Sequence, residues 1–209
     1  MSNELVYRTD ELENAIDYLE KAAEFFENRT DKHRFKWLMI TLHGALYSFG
    51  ICNIQGTNPS ERVFKPLKIS KGKLEKIRQE NSQFILGDQT DDQILSYAKY
   101  IQGEVLPIKA VLNRCKSKEY MMQHYERSKV LSLKLHQEIA IEKLIRYRND
   151  FAHFKPSAYG ISGSYEKDIV IPVVEVIKFL ALESNNVNYF NVGLEENARK
   201  ALNKFYNMR

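Results

Sequence analysis

The sequence has few of the residues that mark special classes of protein. Its 209 residues include only two cysteines, five prolines, nine glycines and one tryptophan. Cys52 and Cys115 lie far apart and without metal-ligand spacing, which indicates two free thiols in a reducing cytosol rather than a disulfide framework. Few prolines and glycines interrupt the chain and no strand-like alternation lasts, so most segments follow a helical period.

The chain also lacks the segments that direct proteins to membranes and the motifs that hold common cofactors. We find no continuous run of about 18 apolar residues, so we predict no membrane span. The beginning of the chain, MSNELVYRTDELENAIDYLE, is acidic and polar and does not resemble a signal peptide. There is no P-loop, no glycine-rich dinucleotide motif and no cluster of His, Cys and acidic residues with metal-ligand spacing. We therefore predict a cytoplasmic protein that binds no metal and no cofactor.

The charges are unevenly spread along a chain of ordinary composition. Hydrophobic residues make up 44% of the chain and charged residues 28%, and the net charge is +4. Residues 1–28 carry two basic against eight acidic side chains, a net of −6, whereas residues 61–88 carry seven against four, a net of +3. Residues 109–134 carry seven against two, a net of +5. The middle of the chain is therefore a candidate surface for a polyanion, and solvated helix faces are the alternative.

Hydrophobic periodicity and capping signals predict a bundle of helices. Asp10 can cap the first helix, and the second is apolar on nearly all sides, as expected of a buried central helix. Pro172 stands early in the segment 168–184, which is either a helix throughout or a strand-like entry followed by a helix. The other predicted helices cover about residues 10–28, 32–54, 70–80, 90–105, a short stretch within 107–126, 129–153 and 194–207. The predicted fold class is all-α, one domain over residues 1–209 with a basic insertion at about 60–128.

One face of the predicted long helix has an arginine in its apolar stripe. The stripe follows three- and four-residue spacing and consists of Ile141, Leu144, Ile145, Arg148 and Ala152. No carboxylate stands one turn before or after Arg148, so no local ion pair explains it. A desolvated guanidinium without a partner would be costly. Arg148 must therefore pair with a distant acid, for instance on the acidic first helix, reach solvent, or face an anion.

Two further polar side chains stand beside this arginine, close to the predicted end of the helix before Pro156. Asn149 and His153 are four residues apart and stack on a neighbouring face. On an ideal helix Arg148 and His153 point about 140° apart, at about 100° per residue, so their convergence within one chain needs the helix end to loosen. Around a two-fold axis, two chains would instead place two of each side chain in one cleft.

Such a cleft suits the cleavage of a phosphodiester. One histidine can take the proton from an attacking hydroxyl while another protonates the leaving oxygen. The arginine guanidinium has the fork geometry that matches phosphoryl oxygens, and its charge can stabilise the transition state. If the 2′-hydroxyl of RNA is the nucleophile, no metal ion is needed. The pattern is therefore compatible with phosphodiester cleavage, and a distant structural ion pair of Arg148 is an equal alternative.

The motif at the end of this helix carries a resemblance to a known family. The sequence RNDFAH, residues 148–153, has the form R-x4-H, follows LSLKLHQEIAIEKLIRY and precedes FKP. This arrangement in an all-α chain resembles the HEPN superfamily of nucleotide- and RNA-binding helical domains, many of which are metal-independent ribonucleases of toxin–antitoxin, phage-defence and CRISPR systems. Residues 37–59 are also similar to the N-terminal helix of stand-alone bacterial HEPN proteins. The resemblance covers about residues 32–184.

The resemblance implies an endoribonuclease whose site forms across a homodimer and whose product ends in a 2′,3′-cyclic phosphate. Arg148 and His153 would be catalytic, Asn149 would support them, and an antitoxin or another defence protein would be a partner. HEPN toxins paired with a nucleotidyltransferase antitoxin usually carry a tyrosine two residues after the histidine, whereas Lys155 stands here. Silencing by modification of that tyrosine is therefore not expected, and Lys155 is expected to contact a phosphate.

Four residues near the motif are predicted to bind RNA. Lys143, Arg146 and Lys155 offer charge to phosphates, and Tyr147 offers a ring on which a base can stack. The alternative function is a non-catalytic HEPN module that binds RNA, a nucleotide or a partner protein and uses the arginine only as an anchor. A purely structural helical subunit is a third alternative. His43, in the apolar second helix, is predicted to be a hydrogen-bonded core histidine rather than a catalyst.

Overall fold

The computed structural model is all-helical over the residues that it describes, which are 9–80, 89–122, 126–153, 160–161 and 164–207. This confirms the predicted fold class, and every predicted helix has a counterpart. In chain order the elements are α1 (Glu11–Glu27), α2 (Arg34–Ile54), α3 (Pro59–Arg62), α4 (Lys71–Glu80), α5 (Asp91–Gln102), α6 (Ile108–Cys115), α7 (Lys118–Met121), α8 (Leu135–Ala152), a π-helical turn (Glu166–Val170), α9 (Ile171–Lys178), a second π-helical turn (Phe179–Glu183) and α10 (Val192–Tyr206).

The first two helices form the centre of the bundle. The side chain of Asp10 accepts a hydrogen bond from the backbone N–H of Glu13 at 2.8 Å, so it caps α1 as predicted. The apolar stripe of α1 is buried in the main core together with α2. At the crossing α2 carries Gly44, where a Cβ atom would lie 2.6 Å from the ring of Tyr18. The close approach of the two helices therefore depends on the missing side chain at position 44.

α2 has the length and apolarity of a membrane-crossing helix but is largely enclosed by the bundle. Its most apolar window has a mean hydropathy of 1.3, and 67% of that window is buried inside the structure. Its neighbours are α1, α6, α8 and α9, which surround it. The apolar character of α2 is thus that of a buried central helix, as its sequence pattern predicts.

The long helix that carries the arginine begins later than the sequence pattern predicts. α8 starts at Leu135, whereas the predicted helix starts at about residue 129. The backbone N–H of Lys129 donates to the carbonyl of Ser184 at 2.8 Å, and that of Leu131 donates to the carbonyl of Cys115 at 2.9 Å. These hydrogen bonds tie the segment before α8 to two distant parts of the chain and hold it in a non-helical course. The predicted helix start was therefore wrong by six residues.

The basic middle of the chain divides into two parts. α6 packs its apolar side into the main core through Val111, Leu112 and Cys115. α4 and α5 instead form a small hydrophobic cluster of their own around Ile77 and Ile94. The pair α4 and α5 therefore stands apart from the main core, whereas α6 is part of the bundle that positions α2 and α8.

The helix predicted around Pro172 runs without a break from Glu166 to Glu183, with a π-helical turn at each end. Pro172 lies in the first turn of α9. A proline has no N–H to donate, and the wider turn before it accommodates that loss inside a continuous helix. The strand-like entry is therefore not formed, and the first π-helical turn packs against α8.

Candidate functional site at the end of α8

The three predicted catalytic residues lie in the last turn of α8 or directly after it. Arg148 and Asn149 belong to the helix, and His153 is its C-cap residue, with φ −102° and ψ 12°. The backbone N–H of His153 donates to the carbonyl of Asn149 at 3.0 Å, so the helical course continues up to the histidine. The helix end thus fixes where all three side chains leave the backbone.

An aromatic cluster anchors this end of α8 to α2. The ring of Phe35, in α2, meets the rings of Tyr147 and Phe151 edge to face, at centroid distances of 5.1 and 5.8 Å. Tyr165, just before the first π-helical turn, meets Phe35 in the same way at 5.0 Å. Edge-to-face pairs add to the free energy gained by burial. The end of α8 is therefore held between α2 and the segment that begins at Tyr165.

The polar side chains of this helix end differ in exposure. Asn149 and His153 are exposed, whereas Arg148 is half-buried. A guanidinium nitrogen of Arg148 donates to Oδ1 of Asn149 at 3.1 Å. No acidic side chain among the described residues, those of α1 included, forms an ion pair with Arg148. The distant acid considered above is not found among these residues, so the guanidinium of the half-buried Arg148 meets solvent or an anion.

The structure brings His43, which the sequence did not connect with this site, within range of the charge of Arg148. His43 is buried in α2, and burial, with the charge of Arg148 as the smaller cause, lowers the pKa of its imidazole to about 4. The imidazole is therefore neutral near pH 7. The side chain is in the core as predicted, but the described residues provide no hydrogen bond to it. A neutral imidazole does not compensate the positive charge of Arg148.

Acidification is expected to destabilise the folded chain through His43. The unfolded chain takes up a proton near the ordinary pKa of 6.5, whereas the folded chain does so only near pH 4. The stability contributed by the neutral imidazole is present above pH 6.5 and is lost as the pH falls towards 4. Urea denaturation should therefore show that the free energy of unfolding falls between about pH 7.5 and about pH 5.5. We expect this fall to be larger by about 1 kcal/mol in the wild type than in His43→Asn.

Arg148→Met tests independently whether the charge of Arg148 lowers the pKa of His43. Removing the guanidinium removes the smaller cause of the shift, so the pKa of His43 should rise towards 6.5 and the loss of stability on acidification should shrink. The NMR shifts of the His43 ring protons report this pKa directly. An equal loss of stability on acidification in the wild type and His43→Asn would contradict the burial of a neutral imidazole.

The residues predicted to bind RNA differ in accessibility. Arg146 is exposed, and its guanidinium lies over the ring of Tyr147, 5.1 Å from the centroid. Tyr147 is half-buried, and its ring also packs almost parallel to that of Phe151, at an interplanar angle of 18°. A base would have to displace one of these neighbours to stack on Tyr147. Lys143 is half-buried, and Lys155 lies outside the described residues.

A groove of about 710 Å³ lies between α6 and α8, and Lys143 and Arg146 are on its wall. Two further lysines line the groove, and both form ion pairs with glutamates of α8: Lys109–Glu142 at 2.7 Å and Lys116–Glu138 at 2.8 Å. These ion pairs neutralise part of the positive charge of the basic segment. Lys143 and Arg146 form no ion pair within the described ranges. Their positive charges in the groove therefore remain able to bind a phosphate.

Comparisons of the chain with models of protein families, with curated proteins and with solved structures each find no similar protein. The resemblance to the HEPN superfamily therefore rests on the motif at residues 148–153 and on the helices around it. The geometry offers a separate basis for a function. At one helix end lie a guanidinium without an ion pair among the described residues, an exposed imidazole and an amide that accepts a hydrogen bond from the guanidinium.

Proposed function

We propose that this chain is a metal-independent endoribonuclease of the HEPN type, acting in the cytosol as part of a bacterial toxin–antitoxin or phage-defence system. The observation that carries the proposal is the end of α8. There the half-buried Arg148 has no ion pair among the described residues, and the exposed Asn149 and His153 belong to the same helix end. Among the described residues the guanidinium has the side-chain amide of Asn149 as its hydrogen-bond partner, so its remaining N–H groups can bind an anion.

Arg148 is suited to hold the phosphate. Its guanidinium presents N–H groups in a rigid fork that matches two phosphoryl oxygens. Asn149 accepts a hydrogen bond from one guanidinium nitrogen and so restrains the direction of the fork. The neighbouring His43 is neutral and does not compete for the anion or share the charge. The positive charge is therefore concentrated where a pentacoordinate phosphorus would carry negative charge.

The reaction needs a second copy of the chain. Arg148 and His153 point about 140° apart on an ideal helix, and the attacking 2′-hydroxyl and the leaving 5′-oxygen lie on opposite sides of the phosphorus, so one His153 does not serve both. In a two-fold homodimer, one His153 takes the proton of the 2′-hydroxyl as its oxygen forms a bond to phosphorus. The other His153 gives a proton to the 5′-oxygen as the bond between phosphorus and that oxygen breaks. The products are a 2′,3′-cyclic phosphate and a free 5′-hydroxyl.

RNA cleavage in the presence of EDTA tests the proposal. We expect the purified chain to cleave RNA and to leave 2′,3′-cyclic phosphate and 5′-hydroxyl ends. A substrate with a 2′-deoxynucleotide at the cleaved position should resist cleavage, because it lacks the nucleophile. Activity per chain should rise with chain concentration as the dimer forms. Cleavage that requires an added divalent metal, or that leaves a 5′-phosphate, would contradict the proposal.

A further inference from the structure

The groove between α6 and α8 lies on the same face of the long helix as His153. Arg146, on the wall of the groove, precedes His153 by two helical turns, so the two side chains differ in direction by about 20° on an ideal helix. Glu142 and Ile139, further along the same wall, differ from His153 by about 20° and about 40°. Ile139 is about 21 Å from His153 along the helix axis, at 1.5 Å per residue. A strand that leaves His153 along α8 therefore passes Arg146 and then enters the groove.

The groove has an apolar lining that is partly open to solvent. Leu112 and Ile141 belong to the main core, Leu133 is half-buried and Ile139 is 47% exposed. The volume of about 710 Å³ is within the range of small-molecule sites. Apolar side chains can stack on the face of a nucleobase that has left its helix. The groove is therefore suited to hold an unpaired base.

The polar groups of the groove suit the rest of a nucleotide. Lys143 and Arg146, on the α8 wall, have positive charges that no ion pair among the described residues neutralises. Asn113, on the α6 wall, is exposed, and its side-chain amide has no hydrogen-bond partner within the described ranges. An amide offers both a donor and an acceptor, which match the edge of a nucleobase. Cations for a phosphate and an amide for a base thus lie on opposite walls.

A second copy of the chain suits this face less well than a polyanion does. If two α8 helices packed along it in parallel, the two copies of Arg146 would meet, and like charges repel. If the helices packed antiparallel, the two copies of His153 would lie at opposite ends of the contact and could not share one phosphate. RNA meets neither obstacle, because its charge is opposite to that of Lys143 and Arg146.

We propose that the groove is a subsite for RNA and holds the base of an unpaired nucleotide near the cleaved phosphate. A base in a duplex is paired and stacked, so it would have to leave the helix before it could enter. The substrate class is therefore single-stranded RNA that is long enough to reach from His153 into the groove. The course of the strand from His153 rests on the proposed ribonuclease activity, whereas the binding of an unpaired nucleotide does not.

Fluorescence anisotropy with 2′-O-methyl oligoribonucleotides, which lack the nucleophile, measures binding to the full chain without cleavage. We expect a single-stranded hexanucleotide to bind at least about tenfold more tightly than a dinucleotide, which is too short to span about 20 Å. A single-stranded dodecanucleotide should likewise bind more tightly than the duplex with its complement. Tighter binding to the duplex would show that the chain binds the charge of RNA without an unpaired base.

Two substitutions inside the groove should weaken binding of the hexanucleotide and leave that of the dinucleotide unchanged. Ile139→Ser removes apolar surface, and Asn113→Trp fills the groove with a ring; we expect a loss of about fivefold or more from each. Leu135→Ser is the matched control. Leu135 is also apolar, is 73% exposed on α8 and does not line the groove, so its variant should bind as the wild type does.

Glu142→Gln should tighten binding of the hexanucleotide several-fold. The carboxylate of Glu142 neutralises Lys109 at 2.7 Å, and its removal frees that lysine inside the groove. Glu196→Gln is the matched control, because Glu196 forms a similarly exposed ion pair with Lys200 at 2.8 Å on α10. It changes the net charge equally and should leave binding unchanged. A gain of affinity cannot come from a damaged fold.

The results separate this subsite from its alternatives. Equal binding of the two oligonucleotide lengths, or equal effects of Ile139→Ser and Leu135→Ser, would overturn the proposal. Loss of the dimer in Ile139→Ser or Asn113→Trp, measured by light scattering, would assign the groove to a second copy and overturn it as well. If the wild type shows the expected binding pattern but cleaves no RNA in EDTA, the proposed ribonuclease activity is contradicted and the subsite is supported.

Discussion

Replacement of Arg148 or His153 by alanine is expected to lower the rate of RNA cleavage by about 10²- to 10⁴-fold while leaving the fold intact. His153 is exposed and follows the last residue of α8, so its side chain contributes little to the core. Arg148 donates a hydrogen bond to its neighbour Asn149 and forms no ion pair among the described residues. Loss of cleavage in these variants would therefore reflect lost chemistry rather than unfolding.

Conservative substitutions separate the two roles. Arg148→Lys keeps the positive charge but loses the fork that binds two oxygens, so we expect an intermediate loss of rate. His153→Gln keeps a polar side chain that cannot exchange a proton, so we expect it to be as inactive as His153→Ala. The rates should be measured in EDTA at saturating RNA. Under these conditions the rates of the variants differ through the steps after binding and not through their affinity for RNA.

Two variants on the same helix are matched controls. His136→Ala removes an exposed histidine from the first turn of α8 and should leave the cleavage rate unchanged. Arg146→Ala removes an exposed arginine two positions before Arg148. The Arg146→Ala variant should have a raised KM, a weaker salt dependence of RNA binding and an unchanged kcat. The reason is that the charge of Arg146 binds phosphates of the RNA backbone and does not stabilise the transition state.

The outcomes distinguish the proposed function from its alternatives. Equal cleavage by the wild type, Arg148→Ala and His153→Ala would place the activity elsewhere and end the assignment. Salt-sensitive RNA binding without cleavage would favour the non-catalytic HEPN module instead. Dimerisation without any affinity for RNA would favour the structural subunit.

Much of the fold could be predicted because its signals are local. Asp10 caps α1, and Thr90 with Gln93 forms a capping box at α5, at the positions where the sequence predicts helix starts. The start of α8 could not be predicted in this way. The hydrogen bonds that keep Lys129 and Leu131 out of the helix lead to distant residues, and such partners leave no trace in a local window.

The candidate site could be predicted only along one helix. Spacing brings Arg148, Asn149 and His153 to the end of α8, because all three depend on the same helical period. His43 precedes Arg148 by 105 positions, and the charge of Arg148 acts on it only because α2 packs against α8.

Arg34→Met should lower the free energy of unfolding by about 2–4 kcal/mol, as measured by urea denaturation. The Arg34 side chain is 12% exposed and forms an ion pair of 2.7 Å with Glu166. Its guanidinium also donates to the carbonyls of Phe25 at 2.9 Å and Phe26 at 2.7 Å. These carbonyls belong to the last turn of α1 and have no donor within the helix, so Arg34 caps α1 and ties it to the first π-helical turn.

The same measurement on two other arginines, Arg29 and Arg148, tests whether Arg148 stabilises the fold. Arg29 contacts the same carboxylate at 3.5 Å, but its side chain is 56% exposed, so Arg29→Met should cost less than about 1 kcal/mol. Arg148→Met should also change stability by less than about 1 kcal/mol, because among the described residues Arg148 has neither an acid nor a backbone carbonyl as partner, only the side-chain amide of Asn149.

A loss from Arg148→Met as large as that from Arg34→Met would show that Arg148 holds the fold, and the ribonuclease proposal would lose the observation on which it rests. A small loss of stability together with lost cleavage would separate the two arginines. Arg34 is then fixed by acceptors of its own chain, whereas Arg148 keeps its hydrogen-bonding groups for a phosphate that arrives from outside.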